Sequence, residues 1–139
     1  MEKKKVVICA SASFEDQIIE WKNKLEKMGF EVIKYPTKIK EDLLIGYNKE
    51  FSEHYDAISK ADVVLALNLD KKGIPGYIGS GVFAEMAFAL GLNKMQNKNI
   101  SVCHLNPIPK GELPYSDELE LWQNLGWIKP FEGNRVEKA

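Results

Sequence analysis

Two short runs in this chain, KVVICA at 5–10 and DVVLALN at 62–68, are apolar at nearly every successive position. A strand with one wet face alternates polar and apolar residues, so a run without alternation has to be covered on both faces. A parallel sheet between helices provides that cover, and the intervening segments supply the helices. SFEDQIIEWKNKLEKMGF sets Ile18, Ile19, Trp21, Leu25 and Met28 at helical spacing and ends on Gly29 as a C-cap. FEVIKY follows as a short strand, stopped by Pro36. A polar stretch then leads into a helix over YNKEFSEHYDAISKA, where Tyr47, Phe51, Tyr55 and Ile58 recur at helical spacing. After DVVLALN come a Gly- and Pro-bearing loop, LDKKGIPGYIGS, and an apolar helix around GVFAEMAFALG. KNISVCHLN is a fourth strand, YSDELELWQNLG a short helix, and WIKPF an edge strand.

Alternating strands and helices joined by right-handed crossovers predict one α/β domain over 1–139. The expected fold is a flavodoxin-like, doubly wound parallel sheet of about five strands. In such sheets ligands bind beyond the carboxyl ends of the strands, so the loops after Ala10, Leu67 and Leu105 are where a site is expected.

Charge and composition narrow the partners. The formal net charge is -1, and 18 of the 19 basic residues are lysines with Arg135 the exception, so no basic stripe argues for nucleic acid. No apolar stretch reaches the roughly twenty residues of a membrane helix, because Glu85 interrupts the longest one and Asn93 with Lys94 ends it. The basic start and apolar Val6–Ala10 resemble a secretory signal, but the run is too short and acidic residues follow at once. Cys9 and Cys103 lie in separate predicted strands without metal-like spacing, which suits two buried thiols in a reducing, cytoplasmic compartment. Neither a metal nor a cofactor is expected.

Several residues could carry chemistry. Ser11 and Ser13 stand in the first loop at a helix start, either as ligand contacts or, for Ser13, as an N-cap with Asp16 three residues on. Glu15 and Asp16 already complement that helix dipole, and no Lys or Arg lies between Ser11 and Glu20. A neutral hydroxyl-bearing ligand therefore suits the loop better than a phosphate, and nucleosides are expected to bind at least as well as monophosphates. Asn68 and Asp70 end the central strand, as turn residues or ligand contacts, with Lys71 and Lys72 reading as solvated. GYIGSG sets Gly79 and Ser80 beside Tyr77, a flat face with a hydroxyl, and lacks both the P-loop ending and the dinucleotide fingerprint.

Glu85 is the one charge in GYIGSGVFAEMAFALG. It lies too deep in its helix to cap it if Ser80 is the N-cap. Its apolar neighbours Phe83, Met86 and Phe88 should desolvate it, raise its pKa and make it reactive; the plainer readings are a solvated glutamate or a lysine partner. His54 is a candidate acid or base, His104 reads as structural, and Trp21, Trp122 and Trp127 as core or interface. A nucleophilic cysteine paired with His54 or His104 has no support in spacing or flanks.

In ISKADVVLALNLD and YIGSGVFAEMAFALGLNK the chain resembles the nucleoside 2-deoxyribosyltransferase-like family, which includes 2'-deoxynucleoside 5'-phosphate N-hydrolases, over about Val6 to Leu105. The resemblance implies a small-molecule nucleoside or nucleotide substrate and makes Glu85 a carboxylate nucleophile that attacks the anomeric carbon. Asp70 and His54 are its candidate helpers, and Ser11, Ser13, Asn68, Tyr77, Gly79 and Ser80 the substrate-binding residues. The family commonly has Asp or Ser where this chain has Gly79, Asp where it has His54, and in the nucleotide hydrolases Arg in the first loop, where CASASF has none. A non-catalytic nucleoside-binding module of the same fold is the rival. A third reading makes the Glu85 helix a subunit interface, and a homodimer or higher homo-oligomer is expected.

Overall fold

The computed structural model describes residues 2–133. Its first strand, β1 (Lys5–Cys9), leads through a 3-10 turn at Ala12–Phe14 into α1 (Glu15–Lys27). Then follow β2 (Glu31–Lys34), α2 (Leu43–Ser59), β3 (Val63–Ala66), α3 (Ser80–Gln96), β4 (Ser101–His104), α4 (Ser116–Asn124) and β5 (Ile128–Pro130). All pairings are parallel and the order is β2-β1-β3-β4-β5, the flavodoxin-like doubly wound arrangement expected from the sequence. Because β2 lies to one side of β1 and β3 to the other, the chain reverses direction between them, and the crevice opens there.

The two apolar runs are buried as their lack of alternation requires: Val6–Cys9 and Val63–Ala66 are fully inaccessible. Side chains of one parity, Val7, Cys9, Val64, Ala66 and Val102, pack with Ile58 of α2, Met86 and Ala89 of α3 and Leu119 of α4. The other parity, Val6, Ile8, Val63 and Leu65, packs with Ile18 and Leu25 of α1. Cys9 therefore points from the carboxyl end of β1 toward α2 and α3.

Helix starts differ from the sequence reading in three places, each for a local reason. Helix α2 begins at Leu43 rather than near Tyr47, because the Asp42 carboxylate accepts the backbone N–H groups of Leu44 (3.1 Å) and Ile45 (3.3 Å). The N-cap of α3 is Gly79, not Ser80, and Phe83 donates its N–H to the Gly79 carbonyl at 2.9 Å. Ser11, not Ser13, caps the turn before α1, and Ser13 spends its hydroxyl on Ser11 Oγ at 2.8 Å. At the other end of α1 the expected C-cap forms: Gly29 (φ +100°) and Phe30 return their N–H groups to Glu26 and Leu25 as a Schellman pair. Among the described residues no helix is long and apolar enough to cross a membrane.

Candidate active site

Glu85 stands six residues into α3, where that helix passes the carboxyl ends of β1 and β3. It borders two lobes of one cleft, which also share Ala10 and Gly81. The larger lobe, about 560 Å³, lies between the β2–α2 segment and α2 and is lined by Pro36, Ile39, Tyr47, Phe51, Tyr55 and His54. Phe51 stacks on Tyr55 with ring centroids 4.0 Å apart, and Tyr55 leans on Phe88 of α3 at 4.9 Å, so the aromatic wall is braced from below. The smaller lobe, about 270 Å³, is polar: Ser11, Asn68, Lys71, Tyr77 and Ser80 face it, with Phe14 at its edge. At the junction, open space lies above Gly81.

The electrostatics of Glu85 follow from its burial. Its side chain is 19% exposed. Loss of water raises its carboxyl from 4.5 to about 7; a hydrogen bond from the Cys9 thiol pulls the other way, and the Glu50 carboxylate adds to the rise. His54 reaches it from α2, Nε2 to Oε1 at 3.6 Å. That spacing would suit an ion pair. Burial, with the positive Lys34 nearby, holds the imidazole unprotonated down to about 4, so at neutral pH the contact joins a neutral ring to a half-ionised carboxyl. Lys34 is engaged elsewhere, by Glu50 at 2.9 Å. The Tyr55 phenol, raised to about 12 by burial and by the Glu85 charge, keeps its proton.

Cys9 completes the cluster beneath: its Sγ is 3.4 Å from His54 Nε2. The Cys–His pairing that sequence spacing did not support thus exists in space. It does not make a nucleophile, because the thiol is wholly buried and both burial and the Glu85 carboxylate push its pKa well above the usual thiol range.

The remaining expected site residues divide in two. Ser11, Tyr77, Gly79 and Ser80 line the polar lobe together with Asn68. Asn68 is also a clamp: its amide donates to the carbonyls of Gly76 (3.1 Å) and Asn106 (2.9 Å) and accepts the Asn106 N–H at 2.9 Å. Gly76 has φ +64°, and a Cβ there would run into the Pro107 carbonyl oxygen, so this crossing of loops admits only glycine. Asp70, expected as a helper, lines neither lobe; it accepts the Gly76 N–H at 3.0 Å and closes the loop. Ser13 lines neither lobe either.

Lys71 corrects the expectation of a solvated side chain and an uncharged first loop. Its Nζ donates to Ser11 Oγ at 2.9 Å and lies about 6 Å from the rings of Phe14 (5.8 Å) and Tyr77 (6.0 Å). A cation sixty residues away in sequence thus reaches the loop at the start of α1. His104 is structural as expected: burial keeps it neutral, its Nδ1–H donates to the Asn106 carbonyl at 2.8 Å, and Nε2 is buried without a partner. A further groove of about 480 Å³ runs along β4 and β5, lined by Asn93, Ile100, Cys103, Trp127, Lys129 and Glu132, and none of the expected site residues lines it.

No protein-family model and no curated protein matches the chain.

Proposed function

We propose that this protein cleaves the N-glycosidic bond of a nucleoside or nucleotide, or transfers its (deoxy)ribosyl group, with Glu85 as the nucleophile. The observation that carries the reading is a carboxylate, largely removed from water and held up to about 7, at the meeting point of an aromatic and a polar lobe. A flat base fits against Tyr47, Phe51 and Tyr55. Sugar hydroxyls fit toward Ser11, Tyr77 and Ser80, which sets the anomeric carbon over Gly81 beside Glu85. A Glu85 carboxylate oxygen attacks that carbon and the C–N bond breaks, its electron pair leaving with the base, which takes up a proton. Water or a second base then attacks the glycosyl ester and returns the carboxylate. His54 is assigned as a positioning residue for Glu85. The resemblance to the nucleoside 2-deoxyribosyltransferase-like family supports this reading, with Gly79 and His54 standing where that family commonly has other residues.

The test is a panel of ribo- and deoxyribonucleosides and their 5'-monophosphates, scored for free base by chromatography with and without an acceptor base. Base release supports the enzyme. A ligand-dependent rise in melting temperature without release supports a non-catalytic binding module instead. Lys71 sharpens the panel: Lys71→Met should weaken monophosphate binding roughly tenfold and nucleoside binding much less, because a charge-assisted contact is lost only where an anion is present. Equal weakening of both would make Lys71 a brace for Ser11 rather than an anion contact.

We further propose a cytoplasmic homo-oligomer. The two buried free thiols support the compartment. The exposed run of Leu43 (65%), Leu44 (80%) and Ile45 (66%) at the start of α2 supports assembly.

A further inference from the structure

Cys9, His54 and Glu85 come from β1, α2 and α3, and each offers one ligand atom within 4.8 Å of the other two. Two edges of the triangle are short, Sγ to Nε2 at 3.4 Å and Nε2 to Oε1 at 3.6 Å. Around tetrahedral Zn²⁺, bond lengths near 2.3 Å to sulfur and 2.0–2.2 Å to nitrogen and oxygen place neighbouring donors about 3.3–3.6 Å apart. Both edges therefore already have the spacing of a zinc tripod, and Glu85, the most accessible of the three, can close the third. We propose that Cys9, His54 and Glu85 form a binding site for a thiophilic divalent cation, for which Zn²⁺ fits the donor set, with the fourth position open to the cleft.

The chemistry of the three groups agrees with the geometry. Thiolate, imidazole and carboxylate together select Zn²⁺ or Co²⁺ over Mg²⁺ or Ca²⁺, which prefer oxygen alone. Neutral His54 has a ring lone pair to give, and the thiol that burial keeps protonated in the free protein loses its proton to the metal on binding. Access runs through the larger lobe, which His54 and Glu85 line while Cys9 sits beneath them. A metal here also occupies the Glu85 carboxylate, so bound Zn²⁺ inhibits base release and a chelator restores it. That consequence rests on the proposed reaction; the binding itself does not.

The experiment is a Co²⁺ titration of the full chain after chelator treatment, followed by absorbance without substrate. One equivalent should develop a near-ultraviolet thiolate-to-cobalt band together with the intense visible absorption of tetrahedral Co²⁺. Competition with a chromophoric chelator should place the Zn²⁺ dissociation constant below about 1 μM. Cys9→Ser should abolish the near-ultraviolet band. Should that variant not fold, Glu85→Gln, which retains thiol and imidazole, should weaken Zn²⁺ at least tenfold while keeping the band, and Cys103→Ser should change neither. No thiolate band in the unsubstituted protein, a band that survives Cys9→Ser, a band lost in Cys103→Ser, or Zn²⁺ affinity unmoved by Glu85→Gln would each overturn the site. Because the readout is absorbance, failure of the metal site and failure of the glycosidic reaction are seen separately.

Discussion

Glu85→Gln is expected to lower base release at least about a hundredfold while the folded protein melts at or above the temperature of the parent. Gln keeps the shape and the acceptor oxygen but cannot form the glycosyl ester, so the chemical step is lost and binding is kept. Stability moves in a direction that separates function from structure. Folding raises the Glu85 carboxyl from 4.5 to about 7, so the folded chain holds this proton more tightly than the unfolded one. The resulting stabilisation is fully present below about 4.5 and is lost as the pH rises through about 7; over 2.5 pH units it amounts to about 3 kcal/mol. His54 runs the other way. Its folded value falls from 6.5 to about 4, so its contribution is present above 6.5 and lost as the pH drops toward 4. Substituting Glu85 removes the first effect and leaves the second. In chelator-treated protein the melting-temperature gain of Glu85→Gln should be several degrees at pH 8 and near zero at pH 4.5. The kcat/KM of the parent should rise with pH through about 7 as the nucleophile ionises. A melting temperature that falls at pH 8 with base release intact would make Glu85 a structural partner of its neighbours and end the catalytic assignment.

Asn68→Ala should produce the largest loss of stability among the cleft residues, about 3–5 kcal/mol and on the order of ten degrees in melting temperature. The substitution removes the side-chain donor to the Gly76 carbonyl, one of the two side-chain donors to the Asn106 carbonyl, and the acceptor of the Asn106 N–H. Asn68 is only 2% exposed, so water cannot readily replace what is lost. The loop it holds carries Tyr77 and Ser80 into the polar lobe, so ligand affinity should fall with stability. Asp70→Ala supplies the contrast: its carboxylate accepts one N–H, from Gly76, at an exposed position where water can take over. It should cost about 1 kcal/mol or less. Scanning calorimetry of the two variants checks both values, and an Asn68→Ala protein melting within two or three degrees of the parent would show that the loops hold without the clamp.

The fold was legible because burial on both faces leaves a mark that no neighbour in space is needed to interpret: Val6–Cys9 and Val63–Ala66 had to be central parallel strands, and the strand–helix alternation then left little choice of topology. Glu85 was legible for the same reason, as a charge in a helix with no polar face. Helix boundaries were less so where a single capping side chain decided them, as Asp42 does for α2. The composition of the site around Glu85 was decided only by tertiary structure. The pairing of Cys9 with His54 spans 45 residues and that of Lys71 with Ser11 spans 60; neither has a spacing to read, because each depends on which strand end faces which helix. Asn68 looked alike as a turn residue or a ligand contact, and only the arrival of the β4–α4 loop made it a clamp. Sequence alone determined where water is excluded, since that follows from residue type along the chain. Which polar groups meet inside the excluded region depends on the crossing of three elements, and the chain does not bring those together until it folds.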